Sequence, residues 1–159
     1  MIDFPKFTKV LFCTDFSEIS DCAFDYAFGI AKRDEGLLYI LHVIPPRPAQ
    51  VYTMEAYLSG EQLEKIDADH REYLKKLFTD KYMNRVRDKA KVKIVVESGR
   101  EDDKILEFAQ KEKVDVIILG THGRTGVDHV FLGSVAEKVV RRSPLPVFVI
   151  PCKDKTCPC

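Results

Sequence analysis

Four residues in the last third of the chain have the types and spacing needed to hold phosphate groups. Gly120, Gly123, Gly133 and Ser134 punctuate the stretch that follows the apolar residues 116–119. Glycine lets backbone N–H groups approach an anion closely and adopts positive φ without strain. A helix that opens at the last two of these residues would add unpaired N–H groups, the positive end of its dipole and one hydroxyl. The stretch therefore predicts a phosphate-binding loop.

Polar side chains within the loop suit the same ligand. Thr121, His122 and Arg124 could donate to phosphate, although each side chain could equally face solvent. Residues 120–125 contain no acid, and Asp128 is the only acid in the loop. The alternative is a purely structural loop, because strand-to-helix connections often contain glycine. The loop is neither a Walker motif, since no lysine follows the last glycine, nor the dinucleotide fingerprint, whose spacing differs.

Alternating strands and helices position this loop. Short apolar runs predict strands at residues 9–14, 37–43, 92–96, 114–119 and 147–150. Four helical segments lie between them, so each helix carries the chain back across the sheet and the strands pair in parallel. We predict a doubly wound α/β fold, with an open five-stranded parallel sheet in the order 3-2-1-4-5 and helices on both faces.

The helices are predicted from apolar spacing and from capping residues. The first begins at Ser17 or Ser20, and the second begins at Ser59, where Gln62 completes a capping box. The second helix is expected to run to about Asp88. The apolar face of the first helix is predicted to comprise Cys22, Ala23, Tyr26, Ala27, Ile30 and Ala31.

The predicted strand order also indicates where a ligand binds. Ligands of open parallel sheets bind beyond the carboxyl ends of the strands, where the strand order reverses. Here the reversal lies between strands one and four, whose loops are residues 14–17 and 120–134. The glycine-rich loop therefore lies where the topology predicts a ligand site.

Composition and charge exclude several classes of function. The 159 residues include 25 Lys+Arg and 25 Asp+Glu, so no net positive charge attracts nucleic acid. The longest apolar runs are too short to span a membrane, and the first residues do not resemble a signal peptide. We expect one domain at residues 1–151, followed by a short polar tail at residues 152–159.

The five cysteines are expected to be reduced. The count is odd, and Cys13 and Cys22 fall in predicted buried elements, which favours a cytoplasmic protein over a disulfide framework. Cys152, Cys157 and Cys159 lie in the tail, and three thiols are too few for a closed zinc site. A disordered tail is expected; the alternative is redox or metal pairing between the tails of a dimer.

At the glycine loop the chain resembles the universal stress protein family. The family pattern is Gly, two residues, Gly, nine residues, Gly, then Ser or Thr, and Gly120, Gly123, Gly133 and Ser134 match it. The likeness extends over nearly the whole chain, including the strand that ends at Val43 and the closing residues 143–150. It implies a single Rossmann-like domain that binds ATP.

The resemblance also assigns roles by position. It implies that Gly120, Gly123, Gly133 and Ser134 hold the phosphates, with the Val135 backbone beside them. Arg124 is a further candidate contact within this loop.

The adenosine end of the ligand is assigned in the same way. The resemblance implies that Asp15 lies near the ribose or adenine, that the Val43 backbone reads the adenine edge, and that Thr14 lines the cleft. Asp15 is also the candidate ligand for a Mg²⁺ ion carried by the nucleotide. Phe16 departs from the family pattern, in which a small residue is common. The family often forms homodimers through the last strand, Val147–Ile150 here, and an apolar edge strand needs such a cover.

The functional hypothesis is an ATP-binding stress-response or signalling module whose occupancy regulates dimer or partner contacts. The sequence places no identifiable catalytic triad beside the loop, although His122 and His129 are candidate acid–base groups. His70 is predicted to pack on its helix rather than to bind a ligand. The alternatives are a slow ATP hydrolase that uses the same site and a dimeric scaffold that binds no nucleotide. Residues 50–58 are either a flap over the site or a long connection.

Overall fold

A computed structural model of the chain describes residues 5–48, 51, 56–121 and 132–152. Within these residues the strands are β1 (Lys9–Cys13), β2 (Leu37–Ile44), β3 (Val92–Ser98), β4 (Val116–Gly120) and β5 (Val147–Ile150). The helices are α1 (Glu18–Arg33), α2 (Gly60–Lys81), α3 (Glu101–Glu112) and α4 (Ser134–Arg142), and short 3₁₀ turns occur at Met83–Arg85 and Lys89–Lys91.

The strands form one parallel sheet in the order β3-β2-β1-β4-β5, which confirms the predicted α/β fold. β1 pairs with β2 on one side and with β4 on the other, so the strand order reverses at β1 and β4. β3 and β5 are the two edges of this sheet. The topology therefore places the carboxyl ends of β1 and β4 at the switch point, as predicted.

The sheet separates two apolar cores, because alternate residues of a strand point to opposite faces. On one face Val10 and Phe12 of β1 pack with residues of α1 and α2. On the other face Leu11 packs with residues of α3 and α4. Residues 10–12 are fully buried, which explains why the central strand is an unbroken apolar run.

Most predicted helix starts are confirmed. Ser17 is the N-cap of α1 and accepts a hydrogen bond from the Ser20 N–H. Ser59 caps α2, and both hydrogen bonds of the predicted capping box with Gln62 are present. The described residues include no helix with the length and apolar character needed to cross a bilayer.

The predicted end of α2 near Asp88 is wrong. The helix ends at Lys81, and the next residue, Tyr82, leaves helical geometry with φ −124° and ψ −52°. Its side chain is fully buried, and its ring packs against Phe24 at a centroid distance of 4.7 Å. Tertiary packing of this one ring outweighs the helical propensity of the residues that follow.

The predicted apolar face of α1 is wrong in part. Tyr26 is 50% exposed, whereas Phe24, which was not predicted, is 1% exposed. Phe24 packs against Phe12 of β1 at a ring distance of 5.6 Å and against Tyr82. The helix is covered by the sheet on one side and by the end of α2 on another, so its buried surface is wider than one apolar stripe.

Candidate functional site

A cleft of about 780 Å³ lies at the carboxyl ends of the strands. Its floor comes from the ends of β1, β2 and β4, and its walls come from the first turns of α1 and α4 and the second half of α2. Ligand pockets usually measure about 300–1,000 Å³, so the cleft is large enough for a nucleotide. The predicted site residues that line it are Thr14, Asp15, Val43, Gly120, Gly133, Ser134 and Val135.

The amino end of α4 opens on this cleft. Gly133 is its N-cap, with φ −57° and ψ 150°, and no described side chain caps the helix. The Gly133 carbonyl accepts the Glu137 N–H at 2.9 Å, which leaves the N–H groups of residues 134–136 without helical acceptors. Gly133 itself donates to the Thr121 carbonyl at 2.7 Å, which fixes the helix start beside the end of β4.

The turn from β1 into α1 forms the wall opposite α4. The Thr14 hydroxyl lies within 2.6 Å of the Tyr82 hydroxyl and accepts the Phe16 N–H at 2.9 Å. Asp15 Oδ1 accepts the Ser17 N–H at 3.0 Å. The Thr14 side chain is therefore occupied by a structural network, while Asp15 lies partly exposed on the cleft wall.

The structure gives a physical reason for the preference for a small residue at position 16. Phe16 has a φ of 63°, in the left-handed region where a side chain is disfavoured. Its ring is 8% exposed and packs against the His42 ring at 4.6 Å and the Phe78 ring at 4.9 Å. Burial of the ring among these aromatic groups offsets the unfavourable backbone geometry.

His42 fixes the same turn from the sheet side. Its Nδ1 donates to the Thr14 carbonyl at 2.8 Å, which assigns the proton to that nitrogen. His42 is 7% exposed and borders the cleft. It thus holds the turn that carries Asp15 against the end of β2.

The backbone groups of Val43 point toward the cleft, because backbone groups alternate in direction along a strand. The Leu41 carbonyl accepts the Thr14 N–H at 2.9 Å, whereas the Ile44 carbonyl accepts the Gly99 N–H at 3.0 Å on the side of β3. Backbone groups alternate in direction along a strand, so those of Val43 point to the β1 side. The last pair between β1 and β2 is Cys13 with Leu41, so Val43 lies beyond the end of β1.

Gly120 has a packing role in addition to any contact with a ligand. A Cβ atom at this position would lie 2.8 Å from Ile19 Cγ2 and 3.3 Å from the Ile19 backbone. The absence of a side chain thus lets the first turn of α1 approach the end of β4. One glycine of the predicted phosphate loop is required by the fold itself.

We predict that Gly120→Ala lowers the free energy of unfolding by about 1–3 kcal/mol, as overpacking of a tight contact does. Ile19→Leu removes the Cγ2 methyl at nearly constant volume, so the double variant Gly120→Ala/Ile19→Leu is expected to recover part of the loss. Urea unfolding of the four proteins measures this coupling. Additive effects of the two substitutions would contradict the proposed contact.

Several predicted residues lie outside the described residues. These are Gly123 and Arg124 of the glycine loop, together with His122 and His129. Most of the uncertain segment at residues 50–58 also lies outside them. In the part of the chain that is described, no group of three or more His, Cys, Asp or Glu side chains could hold a metal ion. A Mg²⁺ contact of Asp15 through a nucleotide stays a prediction.

Sequence reasoning missed the wall that α2 contributes. His70, predicted to pack on its helix rather than to bind a ligand, is partly buried and lines the cleft, as Tyr73 and Leu77 also do. Lys81 continues this wall and pairs with Asp21 of α1 at 2.6 Å. The apolar spacing of α2 indicates which face is buried, but it does not indicate that the second half of the helix also lines a ligand site.

A second network ties α2 to the floor of the cleft. The Tyr82 hydroxyl contacts the Thr14 hydroxyl and donates to Asp21 Oδ1 at 3.0 Å. Burial raises the pKa of Tyr82 well above that of a free phenol, so this hydroxyl stays protonated. The α2 wall, the β1 turn and α1 are therefore joined by one set of hydrogen bonds.

The prediction that Cys22 is a reduced thiol is wrong in this structure. Cys22 of α1 forms a disulfide with Cys152, whose Cα atom lies 6.0 Å away. Cys152 lies two residues beyond β5, so the first residue of the predicted tail is joined to the fold. The two cysteines are 130 residues apart in the chain, and only the topology brings them together. Cys13 is a free, buried thiol, as predicted.

Comparisons with known proteins agree on one family. Residues 6–151 match the model of the universal stress protein family. Universal stress protein MJ0577 of Methanocaldococcus jannaschii is 33% identical over 159 residues, which cover 93% of this chain and 97% of that protein. Universal stress protein YxiE of Bacillus subtilis is 28% identical over 148 residues, which cover 91% of this chain and 99% of that protein.

Solved structures share the fold. The structure of MJ0577 superposes with a TM-score of 0.73 at 28% identity, and covers 94% of this chain and 99% of its own. A universal stress protein crystallised in complex with cAMP has a TM-score of 0.61 at 23% identity, with 92% and 98% covered. The family resemblance of the sequence is thus confirmed: this chain belongs to the universal stress protein family.

Proposed function

We propose that this protein binds ATP in the cleft at the switch point of the sheet. The observation that carries the proposal is the amino end of α4, which begins at a glycine, opens on that cleft and has no cap from any described side chain. Unpaired N–H groups and the positive end of the helix dipole attract phosphate. With glycine at the N-cap, no side chain of residue 133 occupies these N–H groups, so they stay available to a ligand in the cleft.

The remaining predicted contacts follow the cleft away from α4. The glycine loop and the first N–H groups of α4, at Ser134 and Val135, hold the phosphates. Asp15 faces the ribose and the accompanying Mg²⁺, and the Val43 backbone reads the edge of the adenine. Asp15, Val43, Ser134 and Val135 all line this one cleft, which supports a single ligand that contacts all four.

A relative with the same fold supports the class of ligand. The universal stress protein crystallised with cAMP binds an adenine nucleotide, and its fold covers 92% of this chain. A cyclic monophosphate has one phosphate, whereas the N–H groups of residues 134–136 at the amino end of α4 offer donors to more than one. We therefore propose ATP as the ligand of this chain.

The proposed role of ATP is regulatory. β5 is an edge of the sheet, and all four of its residues are only partly buried. A homodimer through Val147–Ile150 would cover these apolar residues. The Ile150 carbonyl accepts the Thr121 N–H at 3.1 Å, so the start of the glycine loop is bonded directly to this edge strand. ATP bound at the loop therefore has a short path by which to alter the dimer or a partner contact.

Calorimetric titration with ATP tests the binding directly. We expect saturable binding of one ATP per chain, strengthened by Mg²⁺, and at least about tenfold weaker binding of CTP, whose base presents a different edge to Val43. Mass spectrometry of the gently purified protein should detect the adenine nucleotide that accompanies it. A failure to bind ATP at millimolar concentration, with the protein folded by circular dichroism, would refute the proposal.

A further inference from the structure

The disulfide joins α1, which borders the cleft, to the end of β5, which pairs with the strand that leads into the glycine loop. Cys22 lies in α1, and Cys152 follows β5, whose last residue, Ile150, pairs with Gly120. Ile19 lies one helical turn before Cys22, so the two side chains share a face of α1. That face touches Gly120, because a Cβ there would meet Ile19 Cγ2 at 2.8 Å. The bond therefore holds α1 against the strand ends from which the glycine loop begins.

The same contacts reach the residues that line the cleft. Ser17, the N-cap of α1, and Ser20, in its first turn, line the cleft. Thr121, directly after β4, also lies on it and donates its N–H to the Ile150 carbonyl. Separation of α1 from the end of β5 would thus loosen both sides of the cleft at once. The disulfide is therefore connected to the cleft through α1 and the end of β5 alone.

The two cysteines are also placed for reversible chemistry. Both Cys22 and Cys152 are partly exposed, so small thiols and disulfides can reach them. Cys13 is a contrast within the same protein: it is 7% exposed, and burial raises the pKa of its thiol, which removes the reactive thiolate. Reactivity is therefore confined, among the described cysteines, to the pair that bridges α1 and the end of β5.

We propose that Cys22 and Cys152 form a redox modification site that sets how tightly the cleft is held, and hence its affinity for nucleotide. The effect on nucleotide affinity rests on the proposed function. Disulfides of intracellular proteins are usually transient or redox-sensing, and this one joins a helix that lines the cleft to the end of an edge strand rather than two strands of the core. The co-reactant is a low-molecular-weight disulfide such as oxidised glutathione.

The reaction is two successive thiol–disulfide exchanges. One protein thiolate attacks a sulfur of oxidised glutathione, forms a mixed disulfide and releases the first glutathione thiolate. The second protein thiolate attacks the protein sulfur of that mixed disulfide, forms the Cys22–Cys152 bond and releases the second glutathione thiolate. The two protein thiols are oxidised, oxidised glutathione is reduced to two glutathiones, and these take up the two protons. Excess reduced glutathione reverses both steps.

The test measures ATP affinity in each redox state. The protein carries Cys157→Ser and Cys159→Ser so that the tail thiols cannot exchange with the pair. Glutathione buffers set it fully oxidised or fully reduced, and thiol counting by mass spectrometry verifies each state. We expect ATP to bind at least about fivefold more weakly to the reduced protein, because its cleft is less preorganised. A further Cys22→Ser substitution should give the weaker affinity in both buffers.

The outcomes separate this inference from the proposed function. Equal ATP affinity in the two states, or a pair that oxidised glutathione does not oxidise, overturns the inference and leaves ATP binding intact. If neither redox state binds ATP, the proposed function fails. Hydrogen exchange then tests whether the disulfide holds α1 against the strand ends beside the cleft. Faster amide exchange on reduction at residues 18–22 and 119–121 supports the clamp, and unchanged exchange at these residues overturns it. Exchange at residues 105–109 of α3, on the other face of the sheet, reports the global loss of stability, so the clamp predicts a larger acceleration at residues 18–22 and 119–121 than at these residues.

Discussion

Replacing Gly133 with aspartate is expected to weaken ATP binding by about 100-fold or more without destabilising the protein. Gly133 has the backbone geometry of an N-cap, and its φ of −57° is open to any residue. An aspartate there accepts hydrogen bonds from the first N–H groups of α4 and places a negative charge where we propose that the phosphates bind. Losing two charge-assisted hydrogen bonds of about 1.5 kcal/mol each corresponds to roughly 100-fold in affinity.

The same substitution should improve the helix. Aspartate is a better N-cap than glycine by a few tenths of a kcal/mol, and its charge complements the helix dipole. In this variant the ATP affinity is therefore expected to fall while the free energy of unfolding rises slightly. A loss of ATP binding caused by misfolding would lower both, so thermal unfolding measured beside calorimetry tells the two explanations apart.

Two further variants isolate the cause. Gly133→Asn caps the helix without adding charge, so its loss of affinity should be intermediate, about tenfold. Gly60→Asp adds the same charge to the first turn of α2, where a Cβ meets no atom within 4 Å, and should leave ATP affinity unchanged. ATP affinity that is equal in Gly133→Asp and the unsubstituted protein would show that phosphates do not bind at α4.

The parts of the fold that the sequence predicts well are those governed by local patterns. The apolar run at residues 9–13 and the capping box from Ser59 to Gln62 are short-range signals, and both are present in the structure. Strict alternation of strands and helices leaves few topologies, and the order β3-β2-β1-β4-β5 follows from it. The position of the cleft then follows from the order of the strands.

The errors occur where distant residues decide the outcome. The end of α2 depends on the burial of Tyr82 against Phe24, which lies 58 positions earlier in the sequence. The Cys22–Cys152 bond depends on how α1 lies beside the end of β5. Neither contact leaves a periodic trace in the sequence, so only the assembled fold reveals it.

The candidate site combines both kinds of information. Gly133 and Ser134 could be placed at a helix start from their types alone, and the structure has α4 begin there. Gly120 was interpreted only as a phosphate contact, but its close approach to Ile19 gives it a packing role as well. A glycine pattern cannot distinguish these two roles, because both need the same absence of a Cβ atom.

Reduction of the Cys22–Cys152 bond is expected to lower the free energy of unfolding by about 4–5 kcal/mol. The bond closes a loop with a sequence separation of 130 residues, and the chain-entropy estimate for loops of this length is close to 5 kcal/mol at 25 °C. For a protein of this size each kcal/mol corresponds to roughly 2–4 °C, so the midpoint of thermal unfolding should fall by about 10–15 °C. Cys22→Ser should reproduce the effect in oxidising buffer.

Urea unfolding of the oxidised and reduced forms distinguishes the origin of this stability. If the bond acts by restricting the unfolded chain, the reduced protein has a more expanded unfolded state and exposes more surface, so its m-value should rise as its stability falls. If the bond instead stabilises contacts of α1 in the folded state, stability falls at constant m. A difference below about 1 kcal/mol between the free energies of unfolding of the two forms would contradict both explanations. Each explanation requires the bond to contribute several kcal/mol, either through the unfolded chain or through contacts in the folded state.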